Sequence, residues 1–231
     1  MHYWKTPLGR LVIQLIIGLL AGIFLIKVFA EMAQGVLMNS LMNFDNVWGD
    51  FIRSFSDTRV TRSIIFVTDL GSATIEIPLF LMAAAYLAFR IKHTWETVIL
   101  AVALAGGWLL NEALKAAFHR SRPGIKHLVE AGGYSFPSGH AMVSAAFYGM
   151  LGYIIWLNLK ERTTYAWVIL LLTAVLITAI GISRIYLGVH FPSDVIAGFA
   201  AGGAWLAACI TALNGIRYYK GKRVHDGNEG T

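Results

Sequence analysis

Tyr134-Ser135-Phe136-Pro137-Ser138-Gly139-His140 runs directly into an apolar stretch over residues 141–157. That stretch is long enough to enter a bilayer as a helix. Pro suits a first helical position, Ser can cap, and Gly lets a ligand approach the backbone. The order therefore predicts a helix whose first amides, those of Ser138, Gly139 and His140, are free and converge at the positive end of its dipole. Such a point attracts anions. His140 adds a side chain that transfers protons near neutral pH. The stretch reads as a phosphate cradle at a membrane surface.

The rest of the composition agrees with a membrane setting. Of 231 residues, 57% are hydrophobic and only 14% are charged, against about a quarter charged in soluble domains. Mean hydropathy is +0.62. The fold class this predicts is all-α: a polytopic membrane protein forming one domain over residues 1–231, with six transmembrane helices. A lone cysteine, Cys209, excludes an internal disulfide and a cysteine-based zinc site. The net charge of +6 sits on residues dispersed at span ends. That dispersal fits membrane topology rather than nucleic acid.

The spans are expected at about residues 11–30, 72–89, 95–115, 140–159, 165–183 and 192–213. The first has the basic start of a signal peptide (Lys5, Arg10), but its apolar run is too long for one. Trp4, Trp95, Trp156, Trp167, Tyr153 and Tyr219 fall near span ends, as an aromatic belt does. Residues 31–62 break the pattern. Leu37, Leu41, Phe44, Trp48, Phe51 and Phe55 recur at helical spacing, with Asp45, Asp50, Arg53 and Asp57 between them. That is an amphipathic segment, either lying in the interface or packed over the bundle.

Lysines and arginines set the orientation. The N-terminus, the turns at 90–92 and 160–162 and the tail at 214–231 are basic and fall on one side. The positive-inside rule makes that side cytoplasmic, both termini included. Lys115, Arg120, Arg122, Lys126 and Arg184 fall on the other side, against the rule. A cluster of such violations calls for an anion.

Three segments reach that extracytoplasmic face. In the first, Lys115 is followed by Arg122-Pro123, and Pro123 biases Arg122 towards an extended conformation. Arg122 can fork onto two phosphate oxygens while Lys115 acts as a point charge. The second is the cradle. The third holds Ser183-Arg184, His190 and Asp194. With Pro192 opening the last span, His190 precedes that helix and Asp194 lies in its first turn. A carboxylate there can hold one imidazole N–H and leave the other nitrogen nucleophilic. Alone, each segment also reads as ordinary: juxtamembrane snorkelling, a capped helix with a surface histidine, a structural His–Asp pair. Together they supply three cations, an anion cradle, a proton donor and a nucleophile pair on one face.

In residue type, spacing and order, Lys115 to Pro123, Pro137 to His140 and Ser183 to Asp194 resemble the type-2 phosphatidic acid phosphatase superfamily, the lipid phosphate phosphatases. The resemblance spans the C-terminal two-thirds. The N-terminal third carries no such motif. It implies a metal-independent enzyme without cofactor. In it Lys115, Arg122 and Arg184 hold equatorial phosphate oxygens, with Ser138 and Gly139 as further donors. His190 attacks phosphorus to give a phosphohistidine, His140 protonates the leaving alkoxide and then activates water, and Asp194 orients His190. Phosphatidylglycerophosphate is the substrate the resemblance favours, with undecaprenyl pyrophosphate and phosphatidic acid as alternatives. The implied partners are the lipid substrate and the bilayer of the plasma membrane, with no nucleic acid and no obligate protein.

Other polar residues have quieter readings. Glu112 lies one turn before Lys115 and suits a local ion pair. His119 and His127 share the active-side loop but fall outside the motif. Arg120 is a candidate for a second phosphate or a headgroup. Glu76 lies inside a span, where a carboxylate is functional by default, yet no partner for it is legible. Two other functions use the same residues: an anion or lipid transporter, and a metal-dependent hydrolase with His140, His190 and Asp194 as ligands. The small residues from Ala200 to Ala204 permit close helix packing within the bundle.

Overall fold

The computed structural model describes residues 6–228, with side chains to residue 221. Trp4, Lys5, the side chains of Lys222 and Arg223, and residues 229–231 of the tail lie outside that description. Among the described residues the chain is helical with no strand. The helices are α1 (Pro7–Leu37), α2 (Met42–Arg53), α3 (Thr58–Leu70), α4 (Ala73–Ala85), α5 (Thr94–Phe118), α6 (Gly139–Leu159), α7 (Trp167–Tyr186) and α8 (Pro192–Asn228). A π-helical turn, Tyr86–Ile91, extends α4. Six of these helices, all but α2 and α3, are long and apolar enough to cross a bilayer. The chain is a polytopic helical membrane protein.

Several elements outrun their expected limits. The first helix starts at Pro7, capped by Thr6 Oγ1 accepting the Gly9 amide at 3.0 Å, and continues to Leu37. The last helix runs on through the region read as a tail. Residues 31–62 divide among the end of α1, all of α2 and the start of α3.

The two readings of that segment describe opposite faces of it. Trp48, Phe51 and Phe55 are about half exposed or more, and ring contacts of 6.0 and 5.3 Å link them in a row. The other face of α2 sends Asp45 into the bundle, where it is 1% exposed. Ile52 packs on Ala141, Ile185 and Val195, and Ile64 and Ile65 of α3 pack on Tyr186, Leu187 and Val189. The pair α2 and α3 therefore roofs one end of the bundle and presents aromatic rings outward.

α6 is the central helix. It is apolar all round and mostly buried, as a helix enclosed by others should be. The small residues of α8 let it approach: a Cβ on Gly198 would stand 2.7 Å from the Ser138 carbonyl and 2.9 Å from Ala141. Gly203, on another side of α8, faces Leu25 of α1. The stripe serves packing within the bundle. The 119–138 loop, the 187–191 turn and the α2–α3 roof share one end, and the turns at 92–93 and 160–166 share the other.

Candidate active site

The helix after the opening motif begins at Gly139, two residues later than a Pro137 start would put it, with Ser138 in the N-cap position. Ser138 does not cap. Its Oγ is buried without a hydrogen-bond partner, and its amide is not free but donates to the Asp194 carbonyl at 3.0 Å. That bond ties the cradle to the start of α8. Among the described residues the amides of Gly139 and His140 form no hydrogen bond. They are the free first-turn donors, and the dipole of α6 aims at the same place.

Gly139 is required by what stands over it. A Cβ there would lie 2.9 Å from Asn111 Oδ1 and 3.6 Å from Lys115 Nζ. Lys115, in the last turn of α5, thus holds its ammonium above the cradle. Gly139→Ala should push Asn111 outward, disturb the turn that carries Lys115 and lower turnover by about 100-fold, the scale of an ångström's misplacement. A rate within threefold of the parent protein, measured in the same detergent, would contradict that close approach. Lys115 also meets Glu112 at 3.7 Å, the local pair expected from their spacing.

Asn111 was not anticipated. It is 2% exposed, one turn before Lys115, and its Nδ2 donates to the Pro137 carbonyl at 3.3 Å. Its only signal in sequence is an amide inside an apolar run, four residues ahead of the Lys. Buried amides keep hydrogen-bond partners, and here the partner is the cradle backbone.

His190 sits in the turn between α7 and α8 and is 2% exposed. Arg122 Nη1 approaches its Nε2 at 3.3 Å. Guanidinium only donates, so Nε2 accepts and the neutral ring carries its proton on Nδ1. Asp194 Oδ2 stands 3.4 Å from Nδ1. This is ion-pair distance but off the hydrogen-bond line, and Nδ1 has no hydrogen-bond partner. Asp194 Oδ2 accepts instead from the Phe191 amide at 2.9 Å. Asp194 therefore stands behind His190 as a close carboxylate rather than as an aligned hydrogen-bond acceptor.

Burial pushes the His190 pKa down to about 4, the Asp194 contact opposes this, and Arg122 and Arg184 push it lower. The neutral form, with Nε2 unprotonated, therefore prevails at neutral pH and is lost only as pH falls through about 4. Ring-nitrogen NMR should show protonation near that value. Asp194→Asn removes the influence that raises the pKa, so protonation should then need still lower pH. Titration at 6.5 or above in the parent protein would contradict this environment.

Arg122 is held by backbone. Its Nε and Nη2 donate to the carbonyls of Gly133 (3.1 Å) and Gly132 (2.6 Å), and Nη1 donates to that of Val189 (2.8 Å). Arg184, in the last turn of α7, is 5% exposed; Nη1 donates to Thr68 Oγ1 at 2.9 Å and Nε is buried without a partner. His140 lies within electrostatic reach of Arg184, His190, Lys115 and Arg122. The structure thus gathers Lys115, Arg122, Ser138, Gly139, His140, Arg184, His190 and Asp194. Ser138 Oγ, Arg184 Nε and His190 Nδ1 are buried polar atoms left unpartnered there, the kind of debt that marks a functional site.

Arg120 departs from its expectation. Nη1 donates to Asp194 Oδ1 at 2.6 Å and to Ser193 Oγ at 2.8 Å, and Nη2 donates to Asp45 Oδ2 at 2.6 Å. Asp45 also accepts the amide and hydroxyl of Ser193, at 2.9 and 2.7 Å. Arg120 is a buttress between two buried carboxylates, with three of its five N–H groups engaged by them and by Ser193. His119 packs edge-on against Tyr134 at 4.5 Å, and His127 Nε2 lies 3.0 Å from the Pro123 carbonyl. Both hold the loop. Glu76 finds a partner in Ser144 Oγ, which donates at 3.0 Å one turn below His140.

A PAP2 superfamily profile matches residues 96–218 of the chain. The chain belongs to the PAP2 superfamily. It is 35% identical over 136 residues to phosphatidylglycerophosphatase B of Bacillus subtilis, covering 59% of this chain and 66% of that protein, just under two thirds of its length. It is 25% identical over 213 residues to an undecaprenyl-diphosphatase of Sulfolobus acidocaldarius, covering 89% of this chain and 88% of that one. The crystal structure of a transmembrane PAP2-type phosphatidylglycerolphosphate phosphatase from B. subtilis superposes with a TM-score of 0.77 at 26% identity, over 81% of this chain and 93% of that chain. The matched profile contains all three polar segments of the site, whereas α1 to α4, including Asp45 and Glu76, precede it.

Proposed function

We propose that this PAP2 protein hydrolyses a lipid phosphate by covalent transfer through His190. One observation carries the reading: a neutral imidazole with its Nε2 lone pair at Arg122 (3.3 Å), a carboxylate behind Nδ1 (3.4 Å) and an open helix N-terminus beside it. Nε2 attacks phosphorus while the bond to the lipid oxygen breaks. His140 gives that oxygen its proton and the lipid alcohol departs. Water then attacks the phosphohistidine, passes a proton to His140 and releases inorganic phosphate. Lys115, Arg122, Arg184 and the Gly139 and His140 amides hold the oxygens on which charge gathers.

Fixed cations occupy the role a metal has in other phosphatases. They also repel a divalent ion, and both Asp194 oxygens already accept hydrogen bonds from Arg120 and the Phe191 amide. Chelators should leave turnover within twofold, and vanadate should inhibit. Loss of activity in chelator, restored by a divalent metal, would favour the metal-ligand reading instead.

Two hollows support a lipid. An apolar groove of about 350 Å³, lined by Phe29, Leu114, Ala201 and Trp205, lies beside the helix end that carries Lys115. A cavity of about 540 Å³ opens between the α1–α2 corner and Arg122 and Phe191. In this reading a tail lies in the first, and a headgroup in the second reaches Arg122.

Likeness to phosphatidylglycerophosphatase B favours phosphatidylglycerophosphate, and the longer alignment with an undecaprenyl-diphosphatase favours a polyprenyl diphosphate as the second reading. Phosphate release from those two lipids and phosphatidic acid, measured side by side, separates them. The first reading expects the largest kcat/KM on phosphatidylglycerophosphate, and a tenfold preference for the diphosphate would replace it. The basic turns at the opposite end favour a plasma-membrane protein with cytoplasmic termini and an extracytoplasmic site. Cysteines placed in the 119–138 loop should then react with an impermeant label from outside.

A further inference from the structure

At the end of the bundle away from His190, α5 begins beside the later turns of α8. A cavity of about 230 Å³ lies there, walled by Lys92, His93, Trp95, Glu96, Arg217 and Lys220. A groove of about 420 Å³ lined by Trp95, Gly215, Ile216, Tyr219 and Lys220 adjoins it. Trp95, Ile216 and Lys220 border both, so a charged chamber opens onto a largely apolar channel.

The charges in the chamber do not balance. Among the described residues Glu96 is its one carboxylate; it is 7% exposed and accepts Arg217 Nη1 at 3.0 Å. His93 Nδ1 stands 3.8 Å from Glu96 and is buried without a hydrogen-bond partner. Lys220 lies over the Trp95 ring at 5.4 Å. Among the described residues neither Lys92 nor Lys220 pairs with a carboxylate. The first turn of α5 adds the positive end of its dipole.

We propose that this is a binding site for an anionic phospholipid, its phosphodiester held by Lys92, Lys220 and Arg217 and one acyl chain lying along Ile216 and Tyr219. Excess cations at the ends of two membrane helices select an anionic headgroup. The apolar channel selects a lipid over a free phosphate. His93 and Glu96 stand 3.8 Å apart here, but among the described residues no second imidazole lines the chamber to protonate a leaving group, so its occupant is bound and not hydrolysed. It would clamp α5 to α8, the helices whose other ends carry Lys115 and Asp194.

Native mass spectrometry of the full chain in detergent tests this with dioleoylphosphatidylglycerol, a phosphodiester without a cleavable monoester, against dioleoylphosphatidylcholine. Lys92→Ala/Lys220→Ala alters two exposed side chains and leaves the core intact. It should weaken phosphatidylglycerol binding about thirtyfold, while hydrolysis of a short-chain phosphate monoester stays unchanged. Arg184→Ala, which disables the catalytic cradle, should retain the lipid like the parent. Unchanged phosphatidylglycerol affinity in the double variant overturns the proposal. So does equal retention of phosphatidylcholine, or loss of the lipid in Arg184→Ala, which would place it in the catalytic cradle.

Discussion

His190→Ala should lower lipid phosphate hydrolysis by about 10⁴-fold or more, the scale seen when a covalent nucleophile is removed. That is about 5.5 kcal/mol of transition-state stabilisation. The side chain is 3% exposed, and among the described residues no other imidazole offers a lone pair to the cradle with a carboxylate behind it. Alanine keeps the cations and the helix N-terminus, so vanadate should still bind noncovalently and thermal unfolding should change little. His119→Ala and His127→Ala, which remove only loop contacts, should keep rates within about threefold. A His190→Ala protein retaining a tenth of parent activity would assign the nucleophile elsewhere.

The second large effect falls on stability. Arg120→Ala should destabilise the protein by about 3–5 kcal/mol, because it strands two buried carboxylates without their cation. Asp45 and Asp194 side chains are both 0% exposed, and Arg120 itself only 12%. Asp194, deprived of Arg120, would also lose the contact that fixes its Oδ1 and be held less firmly behind His190. Activity should therefore fall alike on monophosphate and diphosphate lipids. Thermal unfolding in detergent and the ratio of the two rates check this together. A stable variant that loses diphosphate hydrolysis alone would restore Arg120 as a headgroup ligand.

Arg120 shows where the chain could and could not be read from its residues. Arg120 and Arg122 share one loop, one charge and one side of the membrane. Nothing local says that the first faces Asp45 while the second reaches His190. That difference depends on α2, whose polar face mixes Asp45, Asp50 and Arg53; Asp45 turns inward while Asp50 stays exposed to pair with Arg53. Ser138 is similar, since its amide is engaged by a carbonyl of α8 that no spacing rule predicts. The spans were legible because about 20 apolar residues in a row have few other uses. Gly139, His140, His190 and Asp194 were legible because each stands at a helix start, where backbone donors and side chains act at short range. Asn111 and Glu76 required the neighbouring helix to be seen before their partners, Pro137 and Ser144, could be named.

The central claim is that His190 takes the phosphoryl group while the cradle and cations hold it. Rapid alkaline quench of the enzyme turning over a lipid phosphate, followed by peptide mass spectrometry, tests it directly. An acid-labile phosphoryl group should appear on His190 alone, forming and decaying as fast as phosphate is released. Label on His140, or full turnover with no phosphorylated residue, would contradict it.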